Sequence, residues 1–337
     1  MKAMPNPPVP IRRVEEILAA GAKVQALVVG DLMLDEYISG RVDRISPEAP
    51  VPVVRVENER WAVGGAANVA ANVKALGARC PVIGLAGHDD GGDRLVKALE
   101  DLGARTDGVV RTKSRPTSVK TRVLARHQQV VRYDREEDGD IPPEGVALVV
   151  EAIRRIAPEC DVLIMEDYNK GLLVPEVIEA VLAEAKRLGI PTIVDPKRLR
   201  FFDFKGCTIF KPNAKELADG LGEHLAPEDP EWMHRTRERL QCSHLLLTLG
   251  EKGVALATED GGYLRIPAFA RDVYDVSGAG DTVTAVMAVC LAAGATPAEA
   301  AILANHAAAI EVAKAGVATV TPDELLDHYR NFHREDT

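Results

Sequence analysis

Short apolar runs alternate with helix-length segments along nearly the whole chain, and this rhythm restricts the fold more than any other feature. The runs at residues 24–29, 80–86, 161–165, 191–194, 207–210 and 244–248 are largely continuous, and most end in Gly, Asp or Glu. Such runs suit central strands covered on both faces. Between them, residues 68–76, 92–102, 144–156, 175–188 and 229–240 carry helical patterns, several closed by Gly or Pro. The alternation predicts an α/β fold with a largely parallel sheet and crossover helices. No repeat or low-complexity linker divides the 337 residues, so we expect one domain spanning 1–337.

Two stretches break the rhythm. Residues 37–61 and 117–133 alternate polar and apolar side chains, and Pro47, Pro50 and Pro52 forbid a helix in the first. They predict strands of a small separate sheet standing over one edge of the main sheet rather than two long loops. Val51, Val53, Val54, Val56 and Trp61 would give that sheet an apolar surface. Further on, residues 254–257 and 263–267 flank Glu259-Asp260-Gly261-Gly262, a hairpin signal, and helices are expected at 282–293 and 297–315.

Charge narrows the partners. With 41 basic against 51 acidic side chains, the net charge of −10 disfavours nucleic acid, whose phosphates require a basic face. The apolar run at 282–295 is too short to span a membrane, and Met1 to Pro10 lacks the charged start and apolar stretch of a signal peptide. Five scattered cysteines point to a reduced, cytoplasmic protein. Within this acidic chain Arg111, Lys113, Arg115, Lys120, Arg122, Arg126 and Arg132 form one basic stretch, either a solvated strand face or a site for an anionic substrate.

The chemistry concentrates at Ser277-Gly278-Ala279-Gly280-Asp281. A helix opening on Gly-Ala-Gly offers free backbone N–H groups and the positive end of its dipole to an anion. A carboxylate there would repel bound phosphate. It makes sense if Asp281 takes a proton from an attacking hydroxyl while the N–H groups hold the phosphoryl group. An ordinary acidic first turn is the plainer alternative. A dinucleotide fingerprint fails, because Val283 stands where the third glycine belongs, and no Gly-x-x-x-x-Gly-Lys-Ser/Thr occurs.

Three further motifs sit at expected strand ends or helix starts. Thr248-Leu249-Gly250-Glu251-Lys252-Gly253 is a glycine-rich turn after a buried strand, where open α/β sheets bind ligands. Asn213 and Glu216 are spaced for a hard cation held through water, or equally for a helix capping box. Gly64-Gly65-Ala66-Ala67-Asn68 leaves room for close backbone approach. Asn68 and Asp31 suit adjacent hydroxyls, though Asn68 also fits a helix cap.

These signatures, in this order, resemble the carbohydrate kinase family that includes ribokinase. Within it, Gly30-Asp31-Leu32-Met33-Leu34-Asp35, Arg44-Ile45-Ser46-Pro47-Glu48-Ala49-Pro50-Val51-Pro52-Val53 and Glu166-Asp167-Tyr168-Asn169-Lys170-Gly171 are similar to kinases of lipopolysaccharide heptose synthesis. The resemblance implies a three-layer α/β/α Rossmann-like domain with a small β-sheet lid, usually paired in a dimer; the apolar residues and open edges of the small sheet make it the expected contact of a homodimer. It implies ATP-dependent phosphorylation of the anomeric hydroxyl of D-glycero-β-D-manno-heptose 7-phosphate, toward ADP-heptose. Mg²⁺ is the implied metal, and a monovalent cation a further candidate.

Carried onto this chain, the resemblance makes Asp281 the base and Gly278, Ala279 and Gly280 the anion hole. Asn213, Glu216, Thr248, Gly250, Gly253, Ser277 and Asn305 would lie along ATP, with Asn213 and Glu216 reaching the metal through water. Asp31, Gly64, Gly65, Asn68 and Asp195 would meet the sugar; a phosphate on that sugar needs local cations in so acidic a chain, and Arg122 on the basic stretch with Lys170 and Lys197 at strand ends are the candidates. Ala66 stands where ribokinase-like sequences often carry Lys, which speaks against plain ribose. None of the eight histidines forms the His-x-Gly-His motif of a fused nucleotidyltransferase, so a kinase alone is expected. The alternatives are a kinase of the same fold for a fructose phosphate, or a non-catalytic sugar-phosphate binder, which the intact Asp281 argues against.

Overall fold

The apolar runs become strands because each has two faces to bury. In the computed structural model, which describes residues 9–126, 128–270 and 272–334, Ala26 and Val28 enter one core while Leu27 and Val29 enter another. The first eight residues of the Pro-rich N-terminus lie outside the described residues. In chain order the elements are α1 (Ile11–Gly21), β1 (Ala26–Gly30), β2 (Leu32–Ile45), β3 (Pro52–Gly65), α2 (Ala66–Ala75), β4 (Pro81–Gly87), α3 (Asp90–Asp101), β5 (Arg105–Thr112), β6 (Ser118–Ala125) and β7 (Gln128–Arg135). There follow α4 (Pro143–Ile156), β8 (Val162–Glu166), α5 (Pro175–Leu188), β9 (Thr192–Asp195), β10 (Ile209–Phe210), α6 (Ala214–Leu221), α7 (Pro230–Leu240) and β11 (His244–Thr248). The chain closes with β12 (Val254–Ala257), β13 (Tyr263–Ile266), α8 (Ala279–Ala292), α9 (Pro297–Val312) and α10 (Pro322–Arg334).

The main sheet has nine strands in the order β13-β12-β11-β10-β9-β8-β1-β4-β5, parallel from β11 to β5 and antiparallel at β12 and β13. Helices α1, α2, α3, α8, α9 and α10 pack on one face, and α4, α5, α6 and α7 on the other. The sheet grows from β1 in both directions, through β4 to β5 on one side and β8 to β11 on the other. That reversal opens a crevice beyond the C-terminal ends of β1 and β8, the usual ligand position in such sheets. Helix α8 is buried all round from Asp281 to Cys290, and its small residues let it lie between α2, α9 and the strands β8 and β9.

A second sheet, in the order β3-β2-β6-β7, stands beside this crevice. Strand β2 leaves the main sheet directly after Asp31 and pairs antiparallel with β3 and parallel with β6. One face is rooted in the core through Leu34, Val63 and Val119; the alternate positions Asp35, Tyr37, Lys120 and Arg122 share the other face. Trp61 packs against the same core beneath the Arg94 guanidinium, so it is not part of the exposed apolar surface the sequence suggests.

Three elements are not announced by the apolar pattern. Edge strand β5 carries Arg105, Asp107 and Arg111 and is only partly buried, while α1 and α10 show the core a single stripe. The run at 207–210 shortens to the two residues of β10. There Thr192 and Thr208 each accept the other's backbone N–H with a hydroxyl, replacing the ladder. Helix α9 stops at Val312, short of 315. All five cysteines are buried thiols, and among the described residues no helix is long and apolar enough to cross a membrane.

Candidate active site

Backbone geometry places Asp281. Gly278 adopts φ 98°, a left-handed conformation open to glycine, and turns the chain into α8 with no side chain capping its first N–H groups. Asp281 is 5% exposed; its Oδ2 accepts from Asn68 Nδ2 at 2.6 Å and its Oδ1 from the Tyr168 hydroxyl at 2.9 Å. Burial pushes its carboxyl up to about 6 and Asp195 adds to the rise, while the bonds from Asn68 and Tyr168 and the charge of Lys211 hold it back. A carboxylate in this state is still ionised at neutral pH and ready to accept a proton.

Around it, three adjacent parallel strands end in charge. Glu166 closes β8, Asp195 closes β9 and Lys211 follows β10. Lys211 Nζ donates to Asp195 Oδ2 at 2.8 Å and would stand 3.7 Å from a Cβ on Gly280, at the start of α8. Lys197 bridges Asp195 at 3.3 Å and Glu216 at 2.6 Å. Glu166 is fully buried, with neither carboxylate oxygen hydrogen-bonded among the described residues. Burial, with Asp195 and Asp281 alongside, holds its carboxyl well above the usual range. One oxygen each from Glu166, Asp195 and Asp281 lies within 4.8 Å of the others.

On one side of this cluster a cavity of ≈ 650 Å³ runs from the β11–β13 edge to the first turn of α8. Asn213, Thr248, Gly250, Gly253 and Asn305 all line it, as do Ala279 and Gly280. Its volume and mostly apolar wall suit a nucleoside. Gly253, at φ 84°, allows the wall to close: a Cβ there would stand 2.1 Å from the Ile266 carbonyl oxygen. Ser277 does not line the cavity, and its N–H donates to Asp275 Oδ1 at 2.9 Å. Asn213 and Glu216 form a reciprocal capping box on α6, each side chain accepting the other's N–H at 2.8 Å.

The opposite side gathers the residues expected to meet the sugar, and they already bond within the protein. Asp31 binds protein backbone: it accepts the N–H groups of Tyr168, Lys170 and Leu172 at 2.8, 3.0 and 3.2 Å, fixing the loop after β8. Gly65, at φ 56°, passes so near Asp31 that a Cβ would lie 2.5 Å from its carbonyl oxygen, and one on Gly64 would lie 2.6 Å from Asp35 Oδ2. Each expected phosphate cation already has a protein partner. Arg122 pairs with Asp35, Lys170 with Glu136 at 2.8 Å and Asp138 at 2.5 Å, and Lys197 with the two carboxylates above. No motif in the sequence marks Tyr168, Glu166, Lys211 or Asp35 for a role. Three of them lie at or just past strand ends, and that position was the available signal.

The pattern of the pfkB family carbohydrate kinases matches residues 24–324. This chain belongs to that family. It is therefore a sugar kinase, and its family implies ATP as the phosphoryl donor. It is 42% identical over 328 residues to "Bifunctional protein HldE" of Geobacter sulfurreducens, covering 96% of this chain and 66% of that protein. It is 44% identical over 321 residues to the protein of the same name in Caulobacter sp. (strain K31), covering 94% and 64%. The kinase thus spans about two thirds of the length of these relatives.

Solved structures agree on the fold. Arabidopsis thaliana ribokinase complexed with ribose and ATP superposes with a TM-score of 0.71 at 20% identity, over 91% of this chain and 99% of that one. Phosphofructokinase-2 from Escherichia coli in complex with potassium gives 0.74 at 20% identity, over 93% and 99%.

Proposed function

We propose that this kinase transfers the γ-phosphoryl group of ATP to the anomeric hydroxyl of D-glycero-β-D-manno-heptose 7-phosphate, giving the 1,7-bisphosphate used for ADP-heptose. The observation that carries the transfer chemistry is the position of Asp281, buried at an uncapped helix start between a nucleoside-sized cavity and a polar crevice. The heptose assignment rests on the likeness to the HldE proteins and on the Arg44–Val53 run. A fructose phosphate kinase of the same fold is the competing reading.

In this reaction Asp281 takes the proton of the attacking hydroxyl, and the N–H groups of Ala279 and Gly280 hold the phosphoryl group as charge moves onto it. Asn68 and Tyr168 orient the carboxylate by donating to its two oxygens. Lys211 and Lys197 add positive charge beside the transferred group. The adenosine moiety fills the cavity along Thr248, Gly250, Gly253 and Asn305. The residues fit a hard cation, since Glu166 keeps two buried oxygens unpaired next to Asp195. Glu166 and Asp195 would hold Mg²⁺, with Asn213 and Glu216 reaching it through water. Mg²⁺, when bound, neutralises phosphate charge. Glu311 Oε1, buried and 3.2 Å from a Cβ built on Gly278, is the oxygen a monovalent cation would meet beside that turn.

The small sheet acts as a lid over the sugar and, in this reading, as the contact of a homodimer. Exposed Val51, Val56, Val130, Val131 and Tyr133 on its outer strands and turn support such pairing. Turnover of ATP with heptose 7-phosphate, fructose 6-phosphate and ribose tests the assignment. The heptose phosphate should give the highest kcat/KM by at least tenfold; a preference for fructose 6-phosphate would replace it with the competing reading.

A further inference from the structure

Four cations stand around the sugar side of the crevice with protein partners: Arg122 on Asp35, Arg132 on Asp134, Lys170 on Glu136 and Asp138, and Lys197 on Asp195 and Glu216. Lys120 has none. It lies on β6 opposite Asp35 of β2 and Asp134 of β7, on the face that carries Arg122, and is half-buried. Among the described residues it has no side-chain hydrogen bond and no ion pair. Burial draws protons off its amine, and the neighbouring charges of Lys170 and Arg132 do so further, against Glu136 and Asp35. A half-buried ammonium ion that bonds none of the carboxylates near it, with two other cations close by, is costly to keep. The cost is relieved when an anion enters.

The position fits the far end of the substrate. From Asp281 the contacts lead to Asn68, then back along the helix start to Gly65 and Gly64, then to Asp35, whose Oδ2 faces Gly64. Lys120 stands across from Asp35 in the β2–β6 register. A sugar with its reacting hydroxyl at Asp281 and its body along these residues carries its remaining substituents toward Lys120, away from the nucleotide cavity. We propose that Lys120 is the residue that selects for a phosphate at the end of the sugar remote from the reacting hydroxyl. Arg122, held by Asp35, then serves to orient that carboxylate. This inference rests on the sugar phosphate kinase reading above and adds the residue that reads the phosphate.

Lys120→Met keeps the length and apolar stem and removes the charge. KM for heptose 7-phosphate should rise about thirty-fold, while KM for ATP and for unphosphorylated heptose stays within twofold. Lys120→Arg should recover most of the loss. Inorganic phosphate should compete with the sugar phosphate in the wild type and lose at least tenfold in potency in Lys120→Met. The melting temperature of Lys120→Met should stay level or rise, because an unpaired cation has been removed. Equal losses on phosphorylated and unphosphorylated heptose, or no loss on either, would overturn the proposal. If the wild type prefers another phosphorylated sugar, the heptose assignment fails, and that sugar with and without its phosphate still reads Lys120. A wild type that prefers unphosphorylated sugars overturns both.

Discussion

On the nucleotide side of the site the walls are backbone turns and small apolar side chains, and a cavity of ≈ 650 Å³ stands open. On the sugar side the walls are charged side chains that already hold one another, as Arg122 holds Asp35 and Lys170 holds Glu136. The first surface would recognise by shape, and its turns rest on Gly250 and Gly253 at left-handed φ. The second would recognise by charge, and there the amine of Lys120, unpaired among the described residues, is proposed to matter more than the paired cations. Asp281 lies where the two meet and belongs to both, bonded to Asn68 of α2 and to Tyr168 beyond β8.

Removing the meeting point should have the largest effect. Asp281→Asn keeps the shape and loses the base, and kcat should fall by roughly a hundred-fold or more with ATP affinity nearly unchanged. The same change should stabilise the ligand-free protein. Burial raises the Asp281 carboxyl to about 6, above its unfolded value, so the folded state holds that proton more tightly. Stability therefore declines as pH rises from about 4 to about 6, and at pH 7 the full penalty, on the order of 3 kcal/mol at most, is present. A melting temperature at pH 7 that falls on mutation, with activity retained, would contradict both parts.

A smaller effect should fall on one side only. Gly253→Ala forces a Cβ into the Ile266 carbonyl at a left-handed φ of 84°, so the wall of the nucleotide cavity must shift. KM for ATP should rise about tenfold and the protein should lose stability, while KM for the sugar phosphate holds. Equal changes in both constants would mean that the two surfaces are not independent. The smallest effect expected is that of Tyr168→Phe, which removes one of two donors from Asp281. Because that bond lowers the Asp281 carboxyl, the acid limb of kcat/KM should move to higher pH, with kcat down only several-fold at neutral pH. An unshifted limb would assign Tyr168 to packing alone.

The same contrast explains what the sequence makes legible. The parallel order could be read because β1, β8 and β11 are buried on both faces and leave continuous apolar runs. Gly250, Gly253 and the Gly278-Ala279-Gly280 turn could be read because backbone conformation demands particular residues. Charge pairing leaves no such mark. Arg122 and Asp35 are 87 residues apart, and nothing in either segment announces that they meet. Asp31 looks like a ligand for hydroxyls from its place at a strand end, and nothing in the sequence shows that it also holds the loop of Tyr168 and Lys170. Edge strand β5 was hidden for the related reason that a half-exposed strand needs no apolar run.

The central claim is that Asp281 activates the anomeric hydroxyl of a sugar that already carries a phosphate. Phosphorus NMR of the product formed from ATP and heptose 7-phosphate tests it most directly. One new phosphate resonance coupled to the anomeric proton is expected, formed with the 7-phosphate intact and lost in Asp281→Asn. A phosphate on any other carbon, or ADP formed with no new sugar phosphate, would contradict it.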